Sequence, residues 1–255
     1  NQLLSYEYKR FWTGQELQIL LGQTHNRLVE YDEKLSKPFM EMDLLNSVYQ
    51  AKWTKKWAAQ QLIIGAAGML QVNLNAAIAE DQLLPNATTF DQGLFGLYKI
   101  ELHKQHLLQI GLRQDIRWIE THANNVELKK WYASPNLSAG WSWQVNQNQR
   151  HRLNFSSGFR APHLSELLAN GFHHGALRYE IGDVNLVPER SLQLDWSTDW
   201  SAEHGSLTIN PYHAWVKDYI YIQPNGTSID GIPVFTYEQL NKGRLYGLDL
   251  SAHYH

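Results

Sequence analysis

Two segments near the middle of the chain alternate between apolar and polar residues, and this pattern constrains the fold most. In 153–159, leucine and phenylalanine occupy one side of an extended chain, while asparagine, serine and glycine occupy the other. In 191–200, leucine and tryptophan alternate with serine, glutamine and aspartate. Because successive side chains of a β-strand point to opposite faces, each segment is predicted to be a strand with one apolar face. Such strands suit a wall between lipid and water.

The composition narrows the classes of protein to which the chain can belong. It has 255 residues and a net charge of −3, which indicates no nucleic-acid partner. The absence of cysteine excludes disulfides and thiolate metal sites. The 10 tryptophans and 13 tyrosines suit interfaces that are apolar on one side and wet on the other. Since no apolar run approaches the roughly 18 residues of a membrane helix, a helical membrane protein is excluded.

The alternation recurs along the whole chain and predicts eleven strands. They cover 2–12, 15–31, 41–53, 57–73, 90–103, 106–120, 136–146, 150–160, 189–201, 206–222 and 236–255. Their connections alternate between short turns and long loops. The short ones are 13–14, 54–56, 104–105, 147–149 and 202–205, and the long ones are 32–40, 74–89, 121–135, 161–188 and 223–235. Short turns at one end of a sheet and long loops at the other are typical of outer-membrane barrels.

The fold class follows from this alternation of short turns and long loops. We predict an all-β fold in which an antiparallel transmembrane β-barrel has long extracellular loops and short periplasmic turns. No linker or low-complexity segment divides the chain, so 1–255 is predicted to belong to one domain. A soluble β-sandwich is the alternative, but sandwiches usually have shorter strands and mixed loop lengths.

Motifs in the second half of the chain are more specific. They read GFRAP at 158–162, LSEL at 164–167, GDVNLVPERS at 182–191, NPY at 210–212, KDYIY at 217–221 and RLYGLDL at 244–250. In order and spacing, 153–255 resembles the barrel of TonB-dependent outer-membrane receptors. The element at 182–191 departs from the GNPxLKPE pattern of that family at Asp183, Val184 and Val187.

The resemblance implies a barrel of 22 strands closed around an N-terminal plug. With about 11 predicted strands and no recognisable plug, the chain is expected to be a partial barrel, an internal fragment of such a receptor. The family takes up scarce nutrients across the outer membrane of Gram-negative bacteria. Its partners are the membrane lipid, a small-molecule or metal-chelate ligand, and the TonB–ExbB–ExbD complex, which acts through the plug.

The resemblance leaves the transported substrate open. A ferric siderophore or another metal chelate is the first expectation, and a zinc or haem receptor is the alternative. Cobalamin and oligosaccharides also remain open, as does a passive porin-type barrel. No cofactor is expected. No enzyme is expected either, because the chain contains no nucleophile elbow, phosphate loop or HExxH motif.

The longest loop, 161–188, carries the candidate substrate-binding residues. They are His163, Glu166, His173, His174 and Arg178. Imidazole and carboxylate groups bind zinc, copper or an iron chelate, so His173 and His174 are also candidate metal ligands. Their spacing matches no metal motif, and a polar surface loop is the simpler interpretation. Pro162 and the leucines that follow predict a short helix within this loop.

Charged residues on the polar side of the strands are candidates for lining the barrel lumen. They are Arg113, Asp115, Arg117, Arg152, Asp195, Asp199 and Asp249. They are expected to line a substrate path or contact the plug, unless they only pair with one another inside the barrel. The aromatic residues expected on the lipid side are Trp53, Trp57, Trp141, Trp143, Trp196, Trp200 and Tyr254.

Overall fold

A single sheet of 13 strands dominates the computed structural model, which describes residues 1–31, 38–77, 82–122 and 127–254 except the side chain of His174. The long strands are β1 (Gln2–Trp12), β2 (Gln15–Glu30), β3 (Met40–Trp57), β4 (Gln60–Asn75), β5 (Ala87–Leu102), β6 (His106–Thr121), β7 (Lys129–Asn146) and β8 (Gln149–Arg160). A helix, α1 (Leu164–Leu168), and the short strands β9 (Asn170–His173) and β10 (Arg178–Ile181) follow. The chain continues with β11 (Glu189–Ala202), β12 (Gly205–Ile229) and β13 (Ile232–Tyr254). The predicted all-β class is confirmed.

Each long strand pairs antiparallel with the next one, and β8 pairs with β11 across the intervening segment. The register is continuous over most of each pair. In β2 and β3, for example, partners match residue by residue from Gln15 opposite Lys55 to Glu30 opposite Met40. These ladders satisfy backbone N–H and C=O groups within the sheet, which is the condition for a strand surrounded by lipid.

The alternation of side chains gives the sheet two different faces. In β6, Ile110 and Leu112 are 56% and 63% exposed on one face, which we call the apolar face. Arg113 and Asp115 project from the opposite side, which we call the polar face. The register carries this division from strand to strand, since Ile110 lies opposite Ala139 on β7. A one-residue slip would exchange the two faces, so pairing and patterning must agree.

The segment 161–188, which we call the insert, folds over the polar face. Leu167 of α1 and Leu186 are buried in one cluster with Ile119 of β6 and Ile220 of β12. Three strands separate β6 from β12 in the sheet. Because one small cluster joins both strands, the sheet curves with its polar face on the inside. The predicted short helix in this segment is confirmed. Among the described residues, no helix has the length and hydropathy to cross a membrane.

Two predicted connections are wrong. The loop predicted at 223–235 is instead the extension of β12 and β13 into a hairpin, which turns at Asp230 and Gly231. Both turn residues have positive φ, 51° and 80°, the geometry that Asp-Gly favours in two-residue hairpins. The short turn predicted at 54–56 lies at Ala58 and the following residue, because the polar run 54–56 continues β3. β7 also begins at Lys129, seven residues before its predicted start.

The insert contains secondary structure that the sequence pattern did not predict. β9 and β10 form an antiparallel hairpin. β10 then pairs parallel with β13, where Tyr179 lies opposite Val234 and Ile181 opposite Thr236. This pairing adds the insert to the edge of the main sheet, and Val234 is 1% exposed beneath it. Strands of four residues are too short to produce a recognisable alternation.

Leu167→Ala is predicted to loosen the insert. The side chain is 1% exposed, and removing a buried leucine side chain costs roughly 2–5 kcal/mol when the site does not collapse. In the full-length protein that carries this chain, hydrogen exchange of 161–188 should accelerate while exchange in β2, which lies away from the Leu167 cluster, stays unchanged. Leu177→Ala is the matched control, because Leu177 lies in the same insert and is 73% exposed. Equal exchange in both variants would contradict the packing role of Leu167.

Candidate functional site

The insert crosses the long-loop end of the sheet and contacts strands at both of its flanks. On one side, the backbone N–H of Asn170 donates to the carbonyl oxygen of Leu83 at 3.1 Å. Ala169 is buried in a cluster with Met40 and Leu83, and Tyr237 of β13 packs against the same cluster. The insert therefore spans the space between the start of β3 and the upper part of β13.

Arg160, the last residue of β8, ties the insert to the sheet. Its Nη1 donates to both carboxylate oxygens of Glu166 at 2.9 Å, and its Nη2 donates to Oε1 of Glu189 at 2.5 Å. Glu189 also accepts from the backbone N–H of Ile220 at 2.7 Å, and Glu166 accepts from the N–H of His163 at 2.7 Å. One guanidinium thus joins the first turn of α1 to β11 and, through Glu189, to β12. Paired, charge-assisted bonds of this kind are strong and geometrically specific.

Glu180 forms a second anchor on β10, where its side chain is only 3% exposed. The Nε of Arg178 donates to Oε1 at 2.8 Å, and Nδ1 of His173 lies 2.9 Å from the same oxygen. The hydroxyl of Tyr237 on β13 donates to Oε2 at 2.9 Å. Three donors therefore surround one buried carboxylate, and the third comes from the main sheet.

The surroundings of Glu180 and His163 shift their pKa values. Burial alone raises the pKa of Glu180, but the hydrogen bonds from His173, Arg178 and Tyr237 outweigh it, so the pKa is lowered overall. The pKa of His163 is lowered chiefly by loss of solvent around the ring; the Glu166 carboxylate opposes this shift, and Arg117 and Arg160 add to it. His163 is therefore a neutral imidazole at neutral pH, the form that coordinates metals.

Gly182 allows the insert to fold tightly. A Cβ at this position would lie 2.6 Å from the backbone carbon of Leu167. The backbone N–H groups of Gly182 and Asp183 donate to the carbonyl oxygens of Ala169 at 2.7 Å and Glu166 at 2.9 Å. These bonds close the insert back onto α1, which explains why the GDV element carries glycine at its first position.

The candidate lumen residues lie on the polar face, and most are paired. Arg113 and Asp115 form an ion pair within β6 at 2.7 Å. Arg117 donates to both carboxylate oxygens of Asp91 on β5 at 2.6 Å. His163 lies within electrostatic range of this second pair, so it connects the insert to the polar face. The arrangement leaves few free charges on this part of the face.

A cleft of about 650 Å³ lies lower on the polar face, between β6 and β13. Arg152, Asp195 and Asp249 line it together, although they are far apart in the sequence. Arg152 pairs with Asp199 at 2.6 Å, and Asp195 accepts from Gln193 at 2.7 Å. The cleft thus brings three of the seven candidate lumen residues to one place.

The candidate ligand residues of the insert fall into separate groups. Glu166 and His163 adjoin Arg160, while His173 and Arg178 contact Glu180. The side chain of the candidate ligand His174 lies outside the described part of the structure. Within the described part of the chain, no three His, Asp or Glu side chains meet as a metal site.

Sequence reasoning missed four residues that organise this site: Arg160, Glu180, Glu189 and Tyr237. Arg160 belongs to the GFRAP motif and Glu189 to the GDVNLVPERS motif, so these motifs could have identified both residues. The hydrogen bond between Tyr237 and Glu180 joins residues that are 57 positions apart, and no local sequence pattern predicts it.

Comparisons with known proteins agree with this architecture. The family model "TonB dependent receptor-like, beta-barrel" matches residues 6–255. No curated protein sequence matches the chain. Among solved structures, the copper transporter OprC is similar at a TM-score of 0.76 and 14% identity, covering 94% of this chain and 40% of its own.

Two further solved structures share the fold. The FrpB iron transporter from Neisseria meningitidis has a TM-score of 0.73 and 16% identity, covering 99% of this chain and 40% of its own. The siderophore receptor PirA from Pseudomonas aeruginosa has a TM-score of 0.63 and 12% identity, covering 97% and 52%. The chain therefore spans about two fifths to one half of the length of these proteins.

Docking of the insert is predicted to depend on pH through Glu180. Because the pKa of Glu180 is lowered by docking, its stabilisation is complete above the ordinary value of 4.5 and is lost as pH falls through the lower pKa of the docked state. Hydrogen exchange of 161–188 in the full-length protein should accelerate over that acidic range. Glu180→Gln should accelerate it already at pH 7 and flatten the pH profile.

Glu203→Gln is the control for this experiment, because Glu203 is exposed in the turn at the other end of the sheet. It should preserve both the exchange rate and the pH profile of the insert. A Glu180→Gln profile that matches the unmodified protein would contradict an anchoring role for Glu180.

Proposed function

The chain belongs to the β-barrel family of TonB-dependent receptors, and on that premise we propose that it forms part of the wall of an outer-membrane uptake receptor. The full protein takes up a scarce nutrient actively, with the TonB–ExbB–ExbD complex acting through a plug. The cargo proposed first is a ferric siderophore or another metal chelate. This function is transport and involves no catalysis by the chain.

The observation that carries the proposal is the insert held across the long-loop end of the sheet. Two buried or half-buried charge clusters, around Arg160 and Glu180, fix its position. A passive pore needs an open mouth, whereas a receptor needs structured groups at its entrance to capture a dilute ligand. The similar solved structures named for copper, iron and siderophores support a metal-containing cargo.

The proposed ligand contacts are at the mouth and along the polar face. His163 supplies a neutral imidazole near Arg117, and Arg178, which pairs with Glu180, presents its guanidinium beside β13. Glu166, His173 and His174 complete the proposed set at the mouth, in which the two adjacent histidines are also the proposed metal contacts. Below them, the cleft beside Arg152 supplies the next polar surface. The seven charged residues predicted from the sequence are proposed to line the path.

Zinc or haem is the second candidate cargo, because three histidines lie in the insert and imidazole binds both zinc and haem iron. A passive porin-type barrel remains the rival function. It differs from the receptor in its energy requirement, since diffusion through a pore needs neither TonB nor a proton gradient.

Uptake by the full-length protein tests the proposed function. In a Gram-negative host without competing receptors, labelled ferric siderophore should accumulate only when TonB and the proton gradient are both present. Accumulation of labelled zinc or haem in its place would support the second cargo. Uptake that persists without TonB would contradict the receptor and favour the passive barrel.

Replacing the histidines of the insert is predicted to weaken capture of the cargo. A variant with His163→Ala, His173→Ala and His174→Ala should raise the cargo concentration needed for half-maximal uptake about tenfold, the effect of losing roughly 1.4 kcal/mol of binding. His204→Ala, in the exposed turn at the other end of the sheet, is the control. Unchanged uptake in the triple variant would refute these ligand roles but leave the receptor function standing.

A further inference from the structure

The ring of Tyr132, near the long-loop end of β7, packs beneath the insert. Tyr132 is 8% exposed and belongs to the same buried cluster as Leu167 and Leu186 of the insert. Ile119 of β6 and Ile220 of β12 contribute to this cluster from the sheet. Since a buried aromatic ring contributes a large apolar contact area, the ring of Tyr132 favours docking of the insert on the sheet.

The hydroxyl group of Tyr132 has the opposite effect. It is closed off from solvent and has no hydrogen-bond partner among the described residues. In the described ranges, the two other buried side-chain atoms in this situation belong to Asn46 and His213, and neither residue lies in the cluster beneath the insert. A hydroxyl group that loses its water without gaining a partner makes burial of the residue less favourable.

The polar groups near Tyr132 are engaged elsewhere. Arg117, whose positive charge lies within electrostatic range of Tyr132, donates from Nε and Nη2 to Asp91 at 2.6 Å. The hydroxyl of Ser134, on the same face of β7, donates to the carbonyl oxygen of Pro135 at 3.4 Å. Neither group bonds to the phenol oxygen. Because that oxygen is closed to solvent, no group from elsewhere in a longer protein reaches it while the insert is docked.

Tyr237 meets the insert from β13 and has a paired hydroxyl group. Its ring packs against the same cluster, and its hydroxyl donates to Oε2 of Glu180 at 2.9 Å. The Glu180 side chain is 3% exposed, so this bond satisfies a buried carboxylate. Hydrogen bonds to ionised groups are stronger than those between neutral groups. One tyrosine hydroxyl therefore stabilises docking of the insert, and the other opposes it.

The long ladders of the sheet do not depend on the insert. β8 pairs directly with β11, beginning with Arg160 opposite Glu189, so the chain re-enters the sheet beside the strand that it left. The insert itself pairs with a long strand over three residues only, Tyr179–Ile181 against β13. Release of the insert thus breaks side-chain contacts and this short pairing but leaves the long ladders intact. Such local openings cost less free energy than global unfolding.

We propose that the insert is a releasable segment whose docking is set by two opposing tyrosines: Tyr237 holds it on the sheet, and Tyr132 weakens that hold. Release allows water to reach the hydroxyl of Tyr132. The docked and released states are therefore closer in free energy than the packing alone would make them. A ligand that binds the released state then needs less differential affinity to shift the population. This device belongs to the free protein and does not rest on the proposed cargo.

Hydrogen exchange of 161–188 in the full-length protein without cargo tests the proposal. Tyr132→Phe keeps the ring and removes the unpaired hydroxyl, so exchange should slow roughly tenfold, the effect of about 1.4 kcal/mol. Tyr237→Phe removes a donor to the carboxylate of Glu180, so exchange should accelerate roughly tenfold. The same chemical change is thus expected to act in opposite directions at the two positions.

Tyr98→Phe is the control for the loss of a tyrosine hydroxyl. Tyr98 donates to Oε1 of Gln60 at 2.7 Å near the short turns, so its replacement should leave exchange of the insert unchanged. The proposal is overturned by a Tyr132→Phe variant that exchanges at the unmodified rate or faster. It is equally overturned by a Tyr237→Phe variant that exchanges no faster than the unmodified protein. Because the measurement contains no cargo, a failure of the proposed uptake does not alter either outcome.

Discussion

Backbone hydrogen bonding between neighbouring strands is the constraint on which the rest of this structure depends. In a lipid environment, an unpaired N–H or C=O group costs several kcal/mol, so long strands must pair along their length. The register of β2 and β3 illustrates this, because it continues from Gln15 to Glu30 without a break. Once the register is set, every side chain is assigned to one face. The apolar surface and the paired charges of the polar face both follow from that assignment.

The interior needs a second set of interactions, because a curved sheet with a polar concave face does not close its own mouth. The insert lies across the long-loop end of the sheet, and two carboxylate-centred clusters hold it there. Arg160 connects α1 to β11, while Glu180 connects the β9–β10 hairpin to Tyr237 of β13. Both clusters bury charge, and each satisfies it with several donors, which is what makes such burial tolerable.

Most of the sheet could be predicted from the sequence, because period-two alternation is a local property. β1 was predicted at its observed limits, and most other ends differ by one to four residues. The errors have identifiable causes. The run at 54–56 is polar yet continues β3, and the hairpin after β12 depends on the positive φ of Asp230 and Gly231. Their Asp-Gly dipeptide is a known hairpin signal, so the sequence does contain local information for this turn.

The sequence by itself determined the long strands, their two faces, the short helix and the family, since all of these depend on neighbouring residues or on contiguous motifs. Only the tertiary structure decided which distant groups meet. It brought Glu180 to Tyr237, and Arg152 to Asp249 across one cleft. The physical reason is that alternation specifies the side of the sheet on which a residue lies. Its height and its cross-strand partner depend on register, curvature and the path of the insert.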